Sequence, residues 1–239
     1  MFRIEYYDSL ESTNDFIKNR KNESEGLVIV SKEQTKGRGQ GNNSWSSEIG
    51  GLYFSILLKP DKLLTILPII AGYTVLETLE GFGVDNLKIK WSNDILYNDS
   101  KISGILIESK ILNNKPEYII LGCGINVNQK YINNVSEYNP ISMKMITNEY
   151  YDLNIILNSL LKNFEKNYNR YYINENKELF ELINTKIYMK GEKVNILTSN
   201  QNIIEGRIEK INYDGALVIK VEDNEKIIYS GKILKKKST

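Results

Sequence analysis

The residues best suited to chemistry in this 239-residue chain cluster first in Gln34-Thr35-Lys36-Gly37-Arg38-Gly39-Gln40-Gly41-Asn42-Asn43-Ser44-Trp45. Glycines at alternate positions remove the Cβ atoms that would hold backbone N–H groups away from a ligand, and they permit φ > 0 where the chain must curl. Successive N–H groups in such a curl form an anion-binding concavity, and Arg38 adds a planar fork suited to phosphate or carboxylate. By itself the stretch reads equally as a flexible surface loop or as an RGG-like nucleic-acid tail.

Other candidates are scattered. Ser12 and Thr13 are good helix N-caps, with Asp15 in the first turn, and a helix N-terminus also offers N–H groups and hydroxyls to a ligand. Lys101 opens a strand arm ahead of Gly104, a place where a lysine is ordinarily solvated. Gly122 and Gly124 interrupt an apolar run, and glycines within a strand mark close approach by a ligand or another backbone. A dinucleotide fold is rejected for that pair, because no third glycine opens a helix at the expected place.

The inventory narrows the chemistry. The chain has no histidine, which excludes His-based triads, His metal ligands and an imidazole acid or base. Cys123 is its only cysteine, so there is no intrachain disulfide and no Cys-based zinc site. Catalysis therefore has to run on Lys, Arg, Asp, Glu, Ser, Thr, Tyr or backbone dipoles, an inventory fitted to positioning reactants and stabilising developing charge. With 31 basic and 30 acidic residues the net charge is +1, without the excess of a dedicated nucleic-acid binder. No apolar run reaches about eighteen residues, and Met1-Phe2-Arg3-Ile4-Glu5 lacks a signal pattern; the expectation is a soluble, cytoplasmic protein with no membrane partner.

The elements that must position these residues follow from hydrophobic period. Gly26–Ser31 and Gly50–Leu58 are continuous apolar runs, the mark of strands buried on both faces, and the glycine loop joins them. Apolar residues recur at helical spacing from Leu63 to Leu79, and Gly81-Phe82-Gly83 ends that helix. Leu87-Lys88-Ile89-Lys90-Trp91 alternates as a half-exposed strand; Ile95–Tyr97 and Lys101–Glu108 form a hairpin about Asn98-Asp99-Ser100. Tyr118–Asn128 is a further core strand, and one or two helices lie between about Asn148 and Leu182. After about Asn184 come four or five short strands with tight turns, the signature of a small closed β-barrel, followed by Lys235-Lys236-Lys237 as a solvated tail.

Read in order, Asp8…Ser12-Thr13-Asn14, Gln34-x-x-Gly37-Arg38-Gly39, Trp45, Lys90-Trp91-Ser92-Asn93-Asp94, Lys101–Glu108 and Gly122-x-Gly124-Ile125-Asn126-Val127-Asn128 resemble the ordered motif set of biotin protein ligases. Each motif alone is weak, and six in order with compatible spacing are specific; they cover roughly residues 1 to 130. The resemblance implies an α+β fold: a central mixed β-sheet with packed helices, of the class II aminoacyl-tRNA synthetase-like biotin–lipoate ligase kind, plus a small C-terminal SH3-like β-barrel. A catalytic domain would span residues 1–184 and the barrel 187–239. Because Ser12-Thr13-Asn14 comes so early, it implies the monofunctional type without an N-terminal DNA-binding domain.

The implied reaction is a ligation in which biotin and MgATP give biotinoyl-5′-adenylate and pyrophosphate. The adenylate then acylates a lysine of a biotin carboxyl carrier protein. Carried over by position, Ser12, Thr13, Asn14, Gln34, Gly37, Arg38, Lys101 and Gly104 would bind biotin. Gly39, Gln40, Trp45, Asn93, Asp94 and Asn126 would bind ATP. Lys101 and Arg38 would be catalytic, with Lys101 at the biotin carboxylate and the α-phosphate and Asn126 facing the adenine. Mg²⁺ would accompany ATP with no protein ligands assigned, nucleic acid would have no part, and two copies would pair through the central sheet. Two other readings remain at this point: a lipoyl or octanoyl ligase or transferase of the same fold, and a non-enzymatic nucleic-acid module.

The chain departs from the family pattern at Gln40, where many members carry a second arginine, and at Ser92, where many carry proline. A cation missing from the loop weakens its hold on an acyl-adenylate. Gln40→Arg is therefore expected to lengthen the lifetime of enzyme-bound adenylate, measured as its off-rate after rapid dilution; an unchanged off-rate would count against this.

Overall fold

A computed structural model describes residues 2–113, 115–133, 137–172 and 176–234. Lys235-Lys236-Lys237 lies outside the described residues. Seven strands, β1 (Arg3–Leu10), β2 (Leu27–Gln34), β3 (Leu52–Leu58), β4 (Leu87–Lys90), β5 (Asp94–Tyr97), β6 (Ser100–Leu112) and β7 (Lys115–Ile125), form one mixed sheet in the order β1-β2-β3-β7-β6-β5-β4. β1 and β2 run parallel, and the other neighbouring pairs are antiparallel.

The central strands are apolar because both faces are covered. On one face Val28, Phe54, Ile56, Leu121 and Cys123 pack in the large core that includes residues of α2 (Leu67–Glu80) and α4 (Leu153–Tyr172). α4 buries Ile156, Leu157, Leu160, Leu161 and Phe164 at three-and-four spacing, each worth about 1.5–3 kcal/mol of transfer from water. On the other face Leu27, Ile29, Leu57, Tyr118 and Ile120 pack with Ile17 of the short helix α1 (Thr13–Asn19). Further along that second face Ser55, Gly122, Gly124 and Gly104 take the places of apolar residues, and the sheet becomes a floor.

Register lines up one residue from each strand across that floor: Tyr7, Ser31, Tyr53, Gly124, Gly104, Asp94 and Lys90. Directly opposed residues share a face. A β-bulge adds Lys101 to the same side. Ile95 opposes Ser103 but Leu96 opposes Lys101, so Ile102 is an extra residue on β6. Strict alternation from Gly104 would send Lys101 to the core face; the bulge sends Ile102 there, fully buried, and re-aims Lys101.

Two local expectations shift. β4 is not half-exposed: Lys90 is 6% and Trp91 3% exposed. The connecting chain at Lys186–Tyr188 pairs with the outer edge of β4, where the Ile89 N–H donates to Lys186 O at 2.8 Å and the Tyr188 N–H to Ile89 O at 2.8 Å. α2 starts at Leu67, later than the periodicity suggested, with proline in its first turn; Gly81 caps its end, as expected, and Gly83 at φ 83° turns the chain away. Two short helices, α3 (Met143–Thr147) and α5 (Lys177–Thr185), complete the helical layer.

The remaining strands, β8 (Lys193–Thr198), β9 (Ile203–Ile211), β10 (Leu217–Val221), β11 (Asn224–Ile228) and β12 (Gly231–Ile233), form an antiparallel sheet in the order β11-β10-β9-β8-β12. Among the described residues no ladder joins its two ends, so the expected small barrel is not closed by backbone pairing. β12 is only three residues long and spends its pairing on β8. No helix among the described residues is long and apolar enough to cross a membrane.

Cys123 points into the large core, 6% exposed, and burial pushes its thiol up to about 12 from an ordinary 9.0. The folded chain thus favours the protonated thiol. That preference is fully present below pH 9 and is lost as pH rises from 9 toward 12. Two results are expected: the native protein resists alkylation by iodoacetamide at pH 8 until it is unfolded, and the stability gap between the wild type and Cys123→Ala narrows above pH 9. Native labelling as fast as that of the unfolded chain would contradict this.

Candidate active site

Two cavities open above the glycine floor and meet. The inner one, about 460 Å³, is walled by Ser12, Thr13, Asn14 and Gln34 at one end, by Arg38, Gly39, Gln40 and Trp45 above, and by Asn93, Lys101, Gly104, Gly122 and Gly124 below. Its end wall is the N-terminus of α1. Ser12 caps the helix, its Oγ accepting from the Asp15 N–H at 3.4 Å. The Thr13 N–H and hydroxyl both donate to Gln34 Oε1, at 2.8 and 3.1 Å, and Gln34 Nε2 donates to Ser47 Oγ at 2.8 Å. Ser55 Oγ lies 2.7 Å from Thr13 Oγ1 and 2.6 Å from Asn14 Oδ1. Ser12, Thr13 and Asn14 are all buried, at 3–4% exposure. The wall is a rigid array of donors and acceptors whose rotamers are held by one another.

The roof is the glycine loop, folded as a small hairpin. Arg38 bridges Ser44, the Gly39 N–H donates to Asn43 O at 2.7 Å, and the Trp45 N–H donates to Gly37 O at 2.9 Å, with Gly41 turning the chain at φ 65°. The N–H groups of Gly39, Asn43 and Trp45 are spent within the hairpin. Arg38 reaches Asp15 Oδ1 at 2.7 Å and Glu108 Oε2 at 2.5 Å, tying the roof to α1 and β6. Glu108 Oε2 also accepts from Asn14 Nδ2 at 2.8 Å. Gly37 lines neither cavity: a Cβ there would overlap Trp45 O and Ser47 Oγ, so its part is to let the hairpin close.

Trp45 lies on the floor. A Cβ on Gly104 would stand 2.9 Å from its Cζ3, and one on Gly124 would overlap its Nε1. Gly122 similarly admits the Asn14 amide. The close approaches that the two strand glycines permit are therefore to side chains. Lys101 Nζ stands 5.2 Å from the centre of the indole.

The outer cleft, about 1020 Å³, is lined by Trp45, Lys90, Trp91, Ser92, Asn93, Asp94, Lys101 and Asn126, and by Glu137, Gly231 and Lys232 on its far side. Asp94 lies between two lysines, with Oδ1 2.6 Å from Lys101 Nζ and Oδ2 3.4 Å from Lys90 Nζ. Burial holds the Lys90 ammonium below the usual lysine range, and Asp94 opposes that shift. Asn126 lines the cleft; its Nδ2 donates to Lys101 O at 3.3 Å, whereas its Oδ1 is buried without a hydrogen-bond partner. Asn93 Nδ2 donates to Ile105 O at 3.0 Å and so holds the wall shared by both cavities. Among the described residues no group of three or more Asp, Glu or Cys is placed to hold a metal ion.

Every candidate except Gly37 therefore lines one cavity or both. The sequence reading left Glu108, Ser55, Lys90 and Lys232 without roles. Glu108 lies two and four residues beyond Leu106 and Gly104 on one strand, so alternation placed it on the site face. Lys232 carries no local signal, since it arrives from the second sheet.

Residues 6–126 match the model of the Biotin/lipoate A/B protein ligase family, and residues 191–236 match that of the biotin protein ligase C terminal domain. The chain is similar to the bifunctional ligase/repressor BirA of Bacillus subtilis, 31% identical over 237 residues that cover 95% of this chain and 72% of that protein. It is also similar to the human biotin–protein ligase, 31% identical over 160 residues, 59% of this chain and 22% of that one. Among solved structures, a biotin protein ligase from Aquifex aeolicus in complex with biotin and ATP superposes with a TM-score of 0.86 at 32% identity, over 98% of each chain.

Gly124→Ala is expected to lift Trp45 from the floor and to cost about 1–3 kcal/mol through overpacking. Thermal melts would read the loss and tryptophan emission the greater exposure of the indole; an unchanged melting temperature and emission maximum would refute the contact.

Proposed function

The chain belongs to the biotin/lipoate A/B protein ligase family, and we propose that its two joined cavities form biotinoyl-5′-adenylate from biotin and ATP and pass the biotinoyl group to a lysine of a biotin carrier protein. It is a ligase. The observation that carries the reading of the site is that Lys101 is the one charged side chain, among the described residues, lining both cavities. The biotin- and ATP-bound relative supports the pair of substrates. The match of residues 191–236 to the biotin protein ligase C terminal domain favours biotin over lipoate.

In this reading the inner cavity takes biotin. Its ureido ring carries N–H donors and a carbonyl acceptor, which complement the hydroxyls and amides of Ser12, Thr13, Asn14 and Gln34, and its carboxylate points to Lys101 beneath Trp45. The outer cleft takes ATP, with the unpartnered Asn126 Oδ1 accepting from the adenine amino group. A biotin carboxylate oxygen attacks the α-phosphorus, the bond to the bridging oxygen breaks, and pyrophosphate leaves with the electron pair. No proton has to move in this step, which suits a chain without histidine.

Lys101 offsets the repulsion between the two anions and meets the charge that builds on the α-phosphoryl oxygens, with Asp94 fixing its ammonium in place. A preorganised donor of this kind is worth about 10²–10³ in rate. Magnesium would arrive with the nucleotide, as part of the substrate, and would offset phosphate charge there. Asp94 and Glu137 are the carboxylates lining the outer cleft, in keeping with an ion that takes one or two carboxylates besides phosphate and water. The acceptor amine then attacks the acyl carbon and AMP leaves, while the hairpin held by Arg38 keeps water from the mixed anhydride. The catalytic unit spans residues 1–184 and the C-terminal unit 187–239. The enzyme works in the cytoplasm without nucleic acid, and two copies pair through the central sheet.

Biotin-dependent exchange between ATP and labelled pyrophosphate, absent with lipoate, followed by transfer to a biotin carrier domain, is the expected behaviour. Exchange driven by lipoate would overturn it. Lys101→Ala is expected to lose about 10²–10³ of adenylation rate with biotin affinity little changed; normal single-turnover adenylate formation in that variant would remove Lys101 from the mechanism.

A further inference from the structure

Glu108 and Ser55 line neither cavity, yet a row of side-chain contacts joins both of them to the inner one. Glu108 Oε2 accepts from Asn14 Nδ2 at 2.8 Å, and Asn14 Oδ1 lies 2.6 Å from Ser55 Oγ. Ser55 Oγ lies 2.7 Å from Thr13 Oγ1, and Thr13 belongs to the end wall of the cavity. Ser55 is wholly buried, and Asn14 and Thr13 are nearly so, which shields the row from bulk water.

The protons along this row can be counted. A carboxylate only accepts, so the Asn14 amide turns its NH₂ group to Glu108 and its carbonyl oxygen to Ser55. That oxygen carries no hydrogen, and the Ser55 hydroxyl must donate to it. Ser55 has then spent its one proton, and its contact with Thr13 holds a hydrogen only if Thr13 supplies it. Two buried oxygens facing each other at 2.7 Å with no hydrogen between them would repel. Thr13 has a second acceptor within reach, Gln34 Oε1 at 3.1 Å, but that oxygen already takes the Thr13 N–H at 2.8 Å. The row therefore draws the Thr13 proton to the shorter contact, away from the cavity. Without an acceptor at position 108 the Asn14 amide could turn over, with its NH₂ group donating to Ser55 and Ser55 to Thr13. The Thr13 proton would then be free to point at a ligand.

We propose that Glu108 is a positioning residue for ligand specificity: acting through Asn14 and Ser55, it commits the Thr13 hydroxyl to the role of acceptor, and the inner cavity thereby selects a cyclic urea whose ring N–H donates to Thr13 Oγ1. This rests on the reading of the inner cavity as the biotin site. Thr13 makes the contact, and Glu108 decides which way it runs. The same Oε2 atom takes Arg38 Nη2 at 2.5 Å, so the roof of the cavity and the polarity of its end wall share one anchor.

The test exchanges a donor for an acceptor in the ligand. In the two cyclic carbamates of biotin a ring oxygen replaces one ureido N–H or the other. By calorimetry the wild type binds the weaker of the two about 10²-fold less tightly than biotin. Glu108→Met leaves the Asn14 amide without its acceptor and cuts that ratio about tenfold, because Thr13 can then donate to the ring oxygen. Ser55→Ala interrupts the row and cuts the ratio likewise, and it carries the comparison should the methionine variant fail to fold. Glu108→Gln can place its amide oxygen where Oε2 stood, facing Asn14 and Arg38, and keeps most of the wild-type ratio. A merely structural role weakens biotin and carbamate alike. A wild-type ratio in either folded variant therefore overturns the assignment, as does a glutamine variant no more selective than the methionine one, or a wild type that does not distinguish the ligands. A wild-type chain that binds neither biotin nor a carbamate overturns instead the reading of the cavity on which the assignment rests.

Discussion

The indole of Trp45 rests on two residues that have no side chains. Gly104 and Gly124 oppose each other in register, and their missing Cβ atoms leave a flat recess one aromatic ring deep. Because the ring settles there, the hairpin from Gly37 to Trp45 lies down over the sheet, Arg38 comes within reach of Asp15 and Glu108, and the inner cavity acquires a roof. The same ring forms part of the wall of the outer cleft and faces the Lys101 ammonium, a contact of about 0.5–2 kcal/mol according to its hydration. One buried contact therefore shapes both cavities and the passage between them.

Charge in the site is organised locally and not by the chain as a whole, whose net charge is only +1. Asp94 fixes the two lysines on one face of the sheet, and Glu108 and Asp15 hold Arg38 on the roof. Each cation is positioned by a carboxylate before any ligand enters, so little reorganisation is left for the moment of reaction.

The second sheet is bound into this arrangement. Its Asp214–Gly215 turn accepts hydrogen bonds from Thr65 Oγ1 at 2.7 Å and Trp91 Nε1 at 2.9 Å, so it reaches the segment that carries Lys90 and Asp94. Gly215 is needed at that point for two reasons: φ is 86°, and a Cβ would stand 3.0 Å from Ile66 Cα. Lys232 adds an ion pair to Glu137 across the outer cleft. The C-terminal unit is thus part of the cleft's far wall.

Short-range physics made much of this legible in the chain. Apolar runs announced the buried strands, three-and-four spacing announced α4, Ser12 announced the start of α1, and the ordered motifs named the family and much of the lining of both cavities. What stayed hidden depended on partners far away in the chain. The sequence could not show that Lys90 is buried, since that follows from Lys186–Tyr188 covering the β4 edge and from Trp91 being held by Gly215. Nor could it show that Gly37 serves the hairpin and not a ligand. Lys101 is the sharpest case. The sequence by itself supplied a lysine at a hairpin mouth, three residues before a glycine; tertiary pairing decided which face it takes, because a single extra residue at Ile102 reverses the alternation and turns the ammonium from the core into the site.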